Sequence, residues 1–180
     1  SERIRTCNMR YKVPSIWSLM GKGILNEKAD WALGMLGMFG VPAANIAIQS
    51  TDLFVAFGIR WDDRVSQKVR FSRNPKFSFI GKAETALDDI LNYAEKHDIK
   101  LDIEGWQDYA FNLKKEHQLD FNRDATAIQQ AEVMELLSGM LTEDTKLTTG
   151  VGNHQMFAAQ YLVSLKPKTF LTIQSPWLLS

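Results

Sequence analysis

Thr148-Thr149-Gly150-Val151-Gly152-Asn153-His154-Gln155-Met156 is a short extended run that turns through two glycines into a helix. Small residues at such a turn let the backbone come close to a ligand, and the first N–H groups of the helix have no partner within it. A helix start also behaves like about half a positive charge. The chemistry this favours is a grip on paired phosphates, with Asn153 and His154 adding side-chain donors. Hydrogen bonds to so charged an acceptor contribute roughly 1.5–3 kcal/mol each. A purely structural tight turn has the same spacing, so the residues by themselves leave both readings open. A dinucleotide fingerprint is disfavoured. Gly150-Val151-Gly152 begins G-x-G-x-x-G, but Gln155 takes the third glycine position and no Asp or Glu follows Asp144 to hold a ribose hydroxyl.

A second set is Gly58-Ile59-Arg60-Trp61-Asp62-Asp63-Arg64-Val65, at the end of an apolar run. Ligands of parallel α/β sheets bind at the carboxyl ends of strands, although two arginines with two aspartates also make plain surface ion pairs. The nearby repeat Gly34-Met35-Leu36-Gly37-Met38-Phe39-Gly40 favours a site. Its glycines admit a planar ligand close to the backbone, and methionine offers soft apolar contact.

These segments need rigid elements to hold them. Val13 to Leu19 reads as a buried strand ending in the turn Met20-Gly21-Lys22-Gly23, and Asp52 to Ile59 reads as a second strand. Between them lies a buried glycine-rich loop leading into a short helix over Ala43 to Gln49. Near-continuous apolar strands alternating with helices argue for an α/β fold, a parallel sheet with covering helices. Lys82 to His97 carries a helical stripe at Ala83, Ala86, Leu87, Ile90, Leu91 and Ala94. Glu104 to Gln118, with Trp106, Tyr109, Ala110 and Leu113, reads as a linker helix. Polar, aperiodic Leu119 to Asp124 marks a boundary. Asp124 then caps a helix over Ala125 to Met140, with Ile128, Ala131, Met134 and Leu137 inward. A strand over Lys146 to Thr149, a helix over His154 to Leu162 and a strand over Thr169 to Thr172 complete the order.

Composition narrows the function classes. With 180 residues, 45% hydrophobic and 23% charged, the chain is an ordinary globular protein. Its 21 basic and 21 acidic residues cancel, and the one basic cluster, Lys68, Arg70, Arg73 and Lys76, is a solvated stretch, so no nucleic-acid partner is expected. Cys7 is the only cysteine, which excludes an internal disulfide and suits the cytoplasm. His97, His117 and His154 are far apart without ligand-spaced partners, so no metal site is expected. Trp31 to Thr51 carries no formal charge over a span-like length, but its interrupting glycines, Pro42, Asn45 and Gln49 argue against a membrane partner. The charged start Ser1-Glu2-Arg3-Ile4-Arg5 is unlike a signal peptide.

Taken in order, Leu33-Gly34-Met35-Leu36-Gly37-Met38-Phe39-Gly40, Ala43-Ala44-Asn45, Asp52-Leu53, Phe57-Gly58-Ile59-Arg60-Trp61-Asp62-Asp63-Arg64-Val65, Val151-Gly152-Asn153-His154-Gln155-Met156 and Ala158-Ala159-Gln160 resemble the large catalytic subunit of acetolactate synthase, also called acetohydroxyacid synthase. The resemblance covers most of the chain. It implies an enzyme of the thiamine diphosphate class that condenses two 2-ketoacids, such as pyruvate to acetolactate, with loss of carbon dioxide, in branched-chain amino-acid biosynthesis. The implied cofactors are thiamine diphosphate, Mg and a non-redox FAD, and the implied assembly is a homo-oligomer.

On this resemblance, residues 1–100 are part of a central FAD-binding domain, 101–123 a linker, and 124–180 the start of a second α/β domain that binds thiamine diphosphate. Leu19, Met20, Gly21, Leu36, Gly37, Met38, Arg60, Asp62, Arg64 and Val65 lie along FAD, and Val151, Gly152, Asn153 and His154 hold the diphosphate. Arg64 is the position that takes the acceptor ketoacid carboxylate, where a guanidinium gives a two-point grip. The departures are also specific. The family's catalytic glutamate falls before Ser1, and the sequence contains no Gly-Asp-Gly metal motif. Phe39 stands where a histidine is usual. The stretch from Val69 to Phe79 is too short for the family's Ile-Asp-rich strand, and Ile173 to Ser180 replaces a glycine-rich segment as a frameshift or truncation does. The expectation is a fragment, inactive by itself. The rivals are a non-catalytic FAD or nucleotide-binding module and a pseudo-enzyme subunit that pairs with a complete homologue.

Overall fold

The structure, a computed structural model, describes residues 2–59, 76–164 and 166–172. Arg60, Asp62, Arg64 and Val65, the basic positions Lys68, Arg70 and Arg73, and the tail Ile173 to Ser180 lie outside the described residues.

The chain opens with helix α1, Glu2–Tyr11, for which the sequence offers no apolar stripe. Glu2 in its first turn and Arg10 in its last complement the helix dipole. Its anchor is polar. Buried Asn8 donates from Nδ2 to Val13 O at 2.9 Å and to Ser15 Oγ at 2.6 Å, and accepts Trp31 Nε1 at 2.7 Å. One amide thereby fixes α1 against strand β1, Ser15–Trp17, which is shorter than the expected Val13–Leu19. The chain then makes a single 3-10 turn over Leu19–Gly21.

Strand β2 is Ala32–Met35 and pairs in parallel with β1, with Ser15 opposite Ala32, Ile16 opposite Gly34 and Trp17 opposite Met35. This corrects the sequence reading at two places. The run taken for a glycine-rich loop contains the strand, and the expected strand from Asp52 to Ile59 is not one. The physical reason for the first lies at Gly34, where a Cβ would sit 2.7 Å from Val41 Cγ2. Its φ of +109 is also a conformation that side chains seldom adopt. The glycine serves close packing inside a strand. The second run has no neighbour to pair with among the described strands; Leu53 and Val55 are exposed, while Phe54 packs on Leu36 and Ile48.

Helix α2, Pro42–Ser50, starts on a proline whose missing N–H costs nothing at that position. It buries Ala43, Ala44 and Ala47 with Leu33 against Ala110 and Leu113 of helix α4, Glu104–Glu116. Helix α3, Ala83–Lys96, falls where expected, but of its stripe only Leu87 is buried, Ala83, Ala86, Leu91 and Ala94 are half-buried, and Ile90 is exposed. It lies against α1, where Arg3–Asp88 at 2.9 Å and Arg10–Glu95 at 2.5 Å pair across the surface.

Helix α5 is Gln130–Met140 and starts five residues later than the expected Ala125. Gln129, not Asp124, stands at its N-cap. Asn122 competes for the chain just before it, accepting Asp124 N on Oδ1 at 3.1 Å and Gln129 Nε2 on its carbonyl at 2.5 Å. Side-chain bonds of this kind hold a backbone out of a helix. Ile128 is therefore 82% exposed, and of the expected inward stripe only Ala131 is buried and Met134 half-buried, while Leu137 faces solvent.

Strand β3, Leu147–Thr149, helix α6, Asn153–Tyr161, and strand β4, Phe170–Thr172, follow as expected. β3 and β4 are parallel, with Leu147, Thr148 and Thr149 opposite Phe170, Leu171 and Thr172. The fold class is thus α/β with two small parallel sheets among the described residues. A second core joins distant parts of the chain: Met35 of β2 packs with Ala158, Ala159, Leu162 and Phe170.

Candidate functional site

The turn between β3 and α6 stands at the carboxyl ends of two parallel strands, the edge where an α/β unit receives ligands. Gly152 occupies the N-cap of α6 and no side chain caps the helix there. Gln155 N bonds back to Gly152 O at 3.0 Å, so the first turn is closed while the start stays free of a side-chain cap. Val151, Asn153 and His154 are all exposed. None is drawn into the apolar core, so backbone and side-chain donors face outward together. A Cβ on Gly152 would meet His154 Cε1 at 2.8 Å and Nδ1 at 2.9 Å. The imidazole thus folds back over the glycine, and a side chain at this position would displace it.

Beneath the turn lies a polar knot. Thr149 Oγ1 donates to Thr172 Oγ1 at 2.7 Å, and Gln155 Nε2 also bonds Thr172 Oγ1. Gln155 is 2% exposed, so its amide ties the first turn of α6 to the ends of both strands. Gln155 carries no sequence signal beyond breaking a glycine fingerprint. Its role follows from the strand pairing.

The other expected cofactor residues gather at the carboxyl ends of β1 and β2. Leu19, Met20 and Gly21 form the 3-10 turn after β1, and Leu36, Gly37 and Met38 follow β2. Leu36 N bonds Trp17 O at 2.8 Å, which brings the two turns side by side. Asn45 Oδ1 accepts Gly37 N at 3.0 Å and its Nδ2 donates to Gly37 O at 2.9 Å, so one side chain of α2 holds the peptide groups on both sides of Gly37. Met20 and Met38 are exposed, and Met38 has Phe39 exposed beside it. Gln160 Nε2 donates to Phe39 O at 2.8 Å, connecting α6 to this loop. The sequence blocks Gly34–Gly40, Ala43–Asn45 and Ala158–Gln160 are therefore brought together in space.

A buried ion pair that sequence reading passes over ties the turn after β1 to the segment after α6. Lys22 Nζ lies 2.8 Å from Glu27 Oε2, with side chains 2% and 4% exposed. Glu27 also accepts Gly23 N at 2.7 Å and Ser164 N at 2.9 Å. Burial pushes the Lys22 ammonium below its ordinary pKa, and Glu27 pulls it back up. Lys-Gly-x-x-x-Glu looks like any solvated turn, and its partner Ser164 is 137 residues away.

Among the described residues no group of three or more His, Cys, Asp or Glu side chains is placed to hold a metal ion. No described helix is long and apolar enough to cross a membrane. Cys7 is half-buried, and burial raises its thiol pKa.

Two parallel strand pairs, each followed by glycine turns at its carboxyl ends, make an α/β protein with two candidate ligand edges. Residues 1–99 match the thiamine pyrophosphate enzyme central domain, and the chain belongs to that family. It is similar to the acetolactate synthase large subunit of Porphyra purpurea, 33% identical over 174 residues that cover 84% of this chain and 29% of the relative. The acetolactate synthase isozyme 2 large subunit of Escherichia coli is 33% identical over 173 residues, 89% of this chain and 32% of its own length. Acetolactate synthase 2, chloroplastic, of Nicotiana tabacum is 31% identical over 193 residues, 96% of this chain and 29% of its own length. The chain spans less than a third of the length of these curated relatives. The family that the sequence blocks resemble is the one these matches give.

Proposed function

We propose that this chain contributes cofactor-holding surfaces to an acetolactate synthase catalytic subunit, an enzyme that joins two 2-ketoacids with loss of carbon dioxide. The observation that carries the reading is the uncapped start of α6 at the carboxyl ends of β3 and β4, with Gly152 at its N-cap and the exposed His154 imidazole beside it. In this reading residues 1–100 are part of the central domain, 101–123 the linker, and 124–180 the start of the thiamine diphosphate domain.

Thiamine diphosphate, when bound, supplies a thiazolium carbon that can stabilise a carbanion. The residues of this chain bind and orient it. Val151, Gly152, Asn153 and His154 offer backbone and side-chain donors to the diphosphate, and Gln155 with Thr149 and Thr172 keeps the turn in place from below. Leu19 to Gly21 and Leu36 to Met38 offer an apolar edge to FAD, with Asn45 fixing the second of them. Arg60, Asp62 and Val65 belong to the same flavin surface in this proposal, and Arg64 also takes the acceptor carboxylate; these four lie outside the described residues. A homo-oligomer and residence in the cytoplasm complete the proposal.

The test is a calorimetric titration of the purified chain with thiamine diphosphate, thiamine monophosphate and thiamine, with magnesium present. The expected order of affinity follows the number of phosphates, with the diphosphate at least about tenfold tighter than thiamine because charged acceptors strengthen each hydrogen bond. Equal affinity for all three overturns the reading. The 180 residues contain no Gly-Asp-Gly, so the same sample given pyruvate is expected to form no acetolactate. Flavin binding without any thiamine diphosphate binding would instead favour a nucleotide-binding module.

A further inference from the structure

Helix α6 touches both groups of candidate cofactor residues. Its first turn carries Asn153 and His154 beside Gly152, and its last turn carries Ala158, Ala159 and Gln160. At 1.5 Å per residue these ends are about 10 Å apart, joined by the helix's own hydrogen bonds. Ala158 and Ala159, with Leu162 just beyond them, pack on Met35, the last residue of β2. Leu19, in the 3-10 turn after β1, packs on the same cluster. Gln160 Nε2 donates to Phe39 O at 2.8 Å.

Leu36, Gly37 and Met38 therefore stand between two residues that are each attached to α6, Met35 by apolar packing and Phe39 by a hydrogen bond. The loop between these attachments has no slack. Gly40 N bonds Gly37 O at 2.9 Å, Val41 N bonds Met35 O at 2.8 Å, and Asn45 holds the N–H and the C=O of Gly37. A Cβ on Gly40 would run into Met35 O, Leu36 C and Gly37 N, so the loop is folded tightly on itself. A ligand that fixes the Leu36–Met38 edge must also fix Phe39 O, and through it Gln160 and the helix. Contiguous packed and hydrogen-bonded contacts of this kind carry energetic coupling between sites. The sign follows from order. Met38 and Phe39 are exposed, so their side chains have freedom for a ligand to restrict. Freedom removed by the first ligand is not lost again on binding the second, which makes the cooperativity positive.

We propose that α6 couples the two candidate edges, so that a flavin nucleotide at Leu36–Met38 and thiamine diphosphate at the start of α6 tighten one another through the contact of Gln160 with Phe39 O. The coupling rests on the cofactor assignments proposed above. It is reciprocal, because linkage requires each ligand to change the other's affinity by the same factor.

Calorimetric titration of thiamine diphosphate with magnesium into the full chain, with and without saturating FAD, measures that factor, and the converse titration of FAD checks reciprocity. Couplings between sites commonly amount to about 5–150-fold, and FAD is expected to tighten thiamine diphosphate at least about fivefold. Gln160→Ala is expected to bring the factor below about twofold while changing the affinity for either cofactor alone by less than about twofold. Tyr161→Phe alters the next residue of α6, which bonds Asp120 O instead, and is expected to keep the full factor. Should Gln160→Ala fail to fold, Gln160→Glu decides, since it keeps the shape and turns the donor into an acceptor facing Phe39 O. A chain that binds both cofactors with a factor of one, or a factor that survives the Gln160 substitution, overturns the coupling and leaves the assignments standing. A chain that binds only one of the two, or neither, refutes the assignments and the coupling with them.

Discussion

Glu27→Ala removes the acceptor for three donors at once: Lys22 Nζ at 2.8 Å, Gly23 N at 2.7 Å and Ser164 N at 2.9 Å. It strands an ammonium whose side chain is 2% exposed. Breaking one partner out of a buried pair costs about 3–5 kcal/mol, because the other charge stays behind without compensation. Domains of this size have only about 5–15 kcal/mol in total. With a urea slope of about 2 kcal/mol/M, the midpoint falls by roughly 2 M. The direction with pH is also fixed. The unfolded chain holds the Lys22 proton up to about 10.5, whereas burial lowers the folded value. Between those two values the unfolded state binds more protons, so stability from this group rises with pH. Without Glu27 the folded value drops further and the recovery starts earlier, so the variant's deficit narrows from pH 7 to pH 10. Urea unfolding followed by circular dichroism at both pH values reads the effect. A deficit below about 1 kcal/mol, the size seen for exposed pairs, or one that widens with pH, refutes the reasoning.

Gly152→Ala is expected to cost about 1–3 kcal/mol from backbone strain at φ +154 and displacement of His154; thermal unfolding reads the stability loss and thiamine diphosphate titration reads weaker binding. Asn45→Ala releases both the N–H and the C=O of Gly37, with an expected loss of about 1–3 kcal/mol in unfolding free energy and weaker binding of added FAD, followed by flavin fluorescence. Gln155→Leu leaves Thr172 Oγ1 without its amide donor in a buried setting, and the expected cost is about 1–3 kcal/mol, with faster hydrogen exchange at the start of α6.

The elements that could be read directly are those whose own residues settle them. α3 and α4 announce themselves by apolar spacing and α2 by its alanines, and the strand, glycine turn and helix from Leu147 to Tyr161 stand within a residue or two of expectation. β2 was hidden because Gly34 and Gly37 look like loop residues until Val41 is seen packed on one and Asn45 bonded to the other. The run from Leu53 to Ile59 has strand composition, but a strand exists only with a neighbour to pair with, and sequence periodicity does not supply one. The start of α5 depended on which group the Asn122 side chain and carbonyl would bind. At the candidate site, the donors at Gly152 to His154 were visible in the motif. Their support, Gln155 with Thr172 and Glu27 with Ser164, required knowing which distant segments meet.

The packing of Met35 among Ala158, Ala159, Leu162 and Phe170, with Glu27 holding Ser164 N and Gln160 holding Phe39 O, means that the chain's early and late segments are joined by more than the peptide between them. Residues 122–128 are exposed and precede α5 without crossing that core. A protease that nicks there separates two pieces covalently while their shared interior stays closed. The nicked protein should therefore elute as one particle in native buffer and fall into two only in denaturant, and pieces made separately should complement one another on mixing.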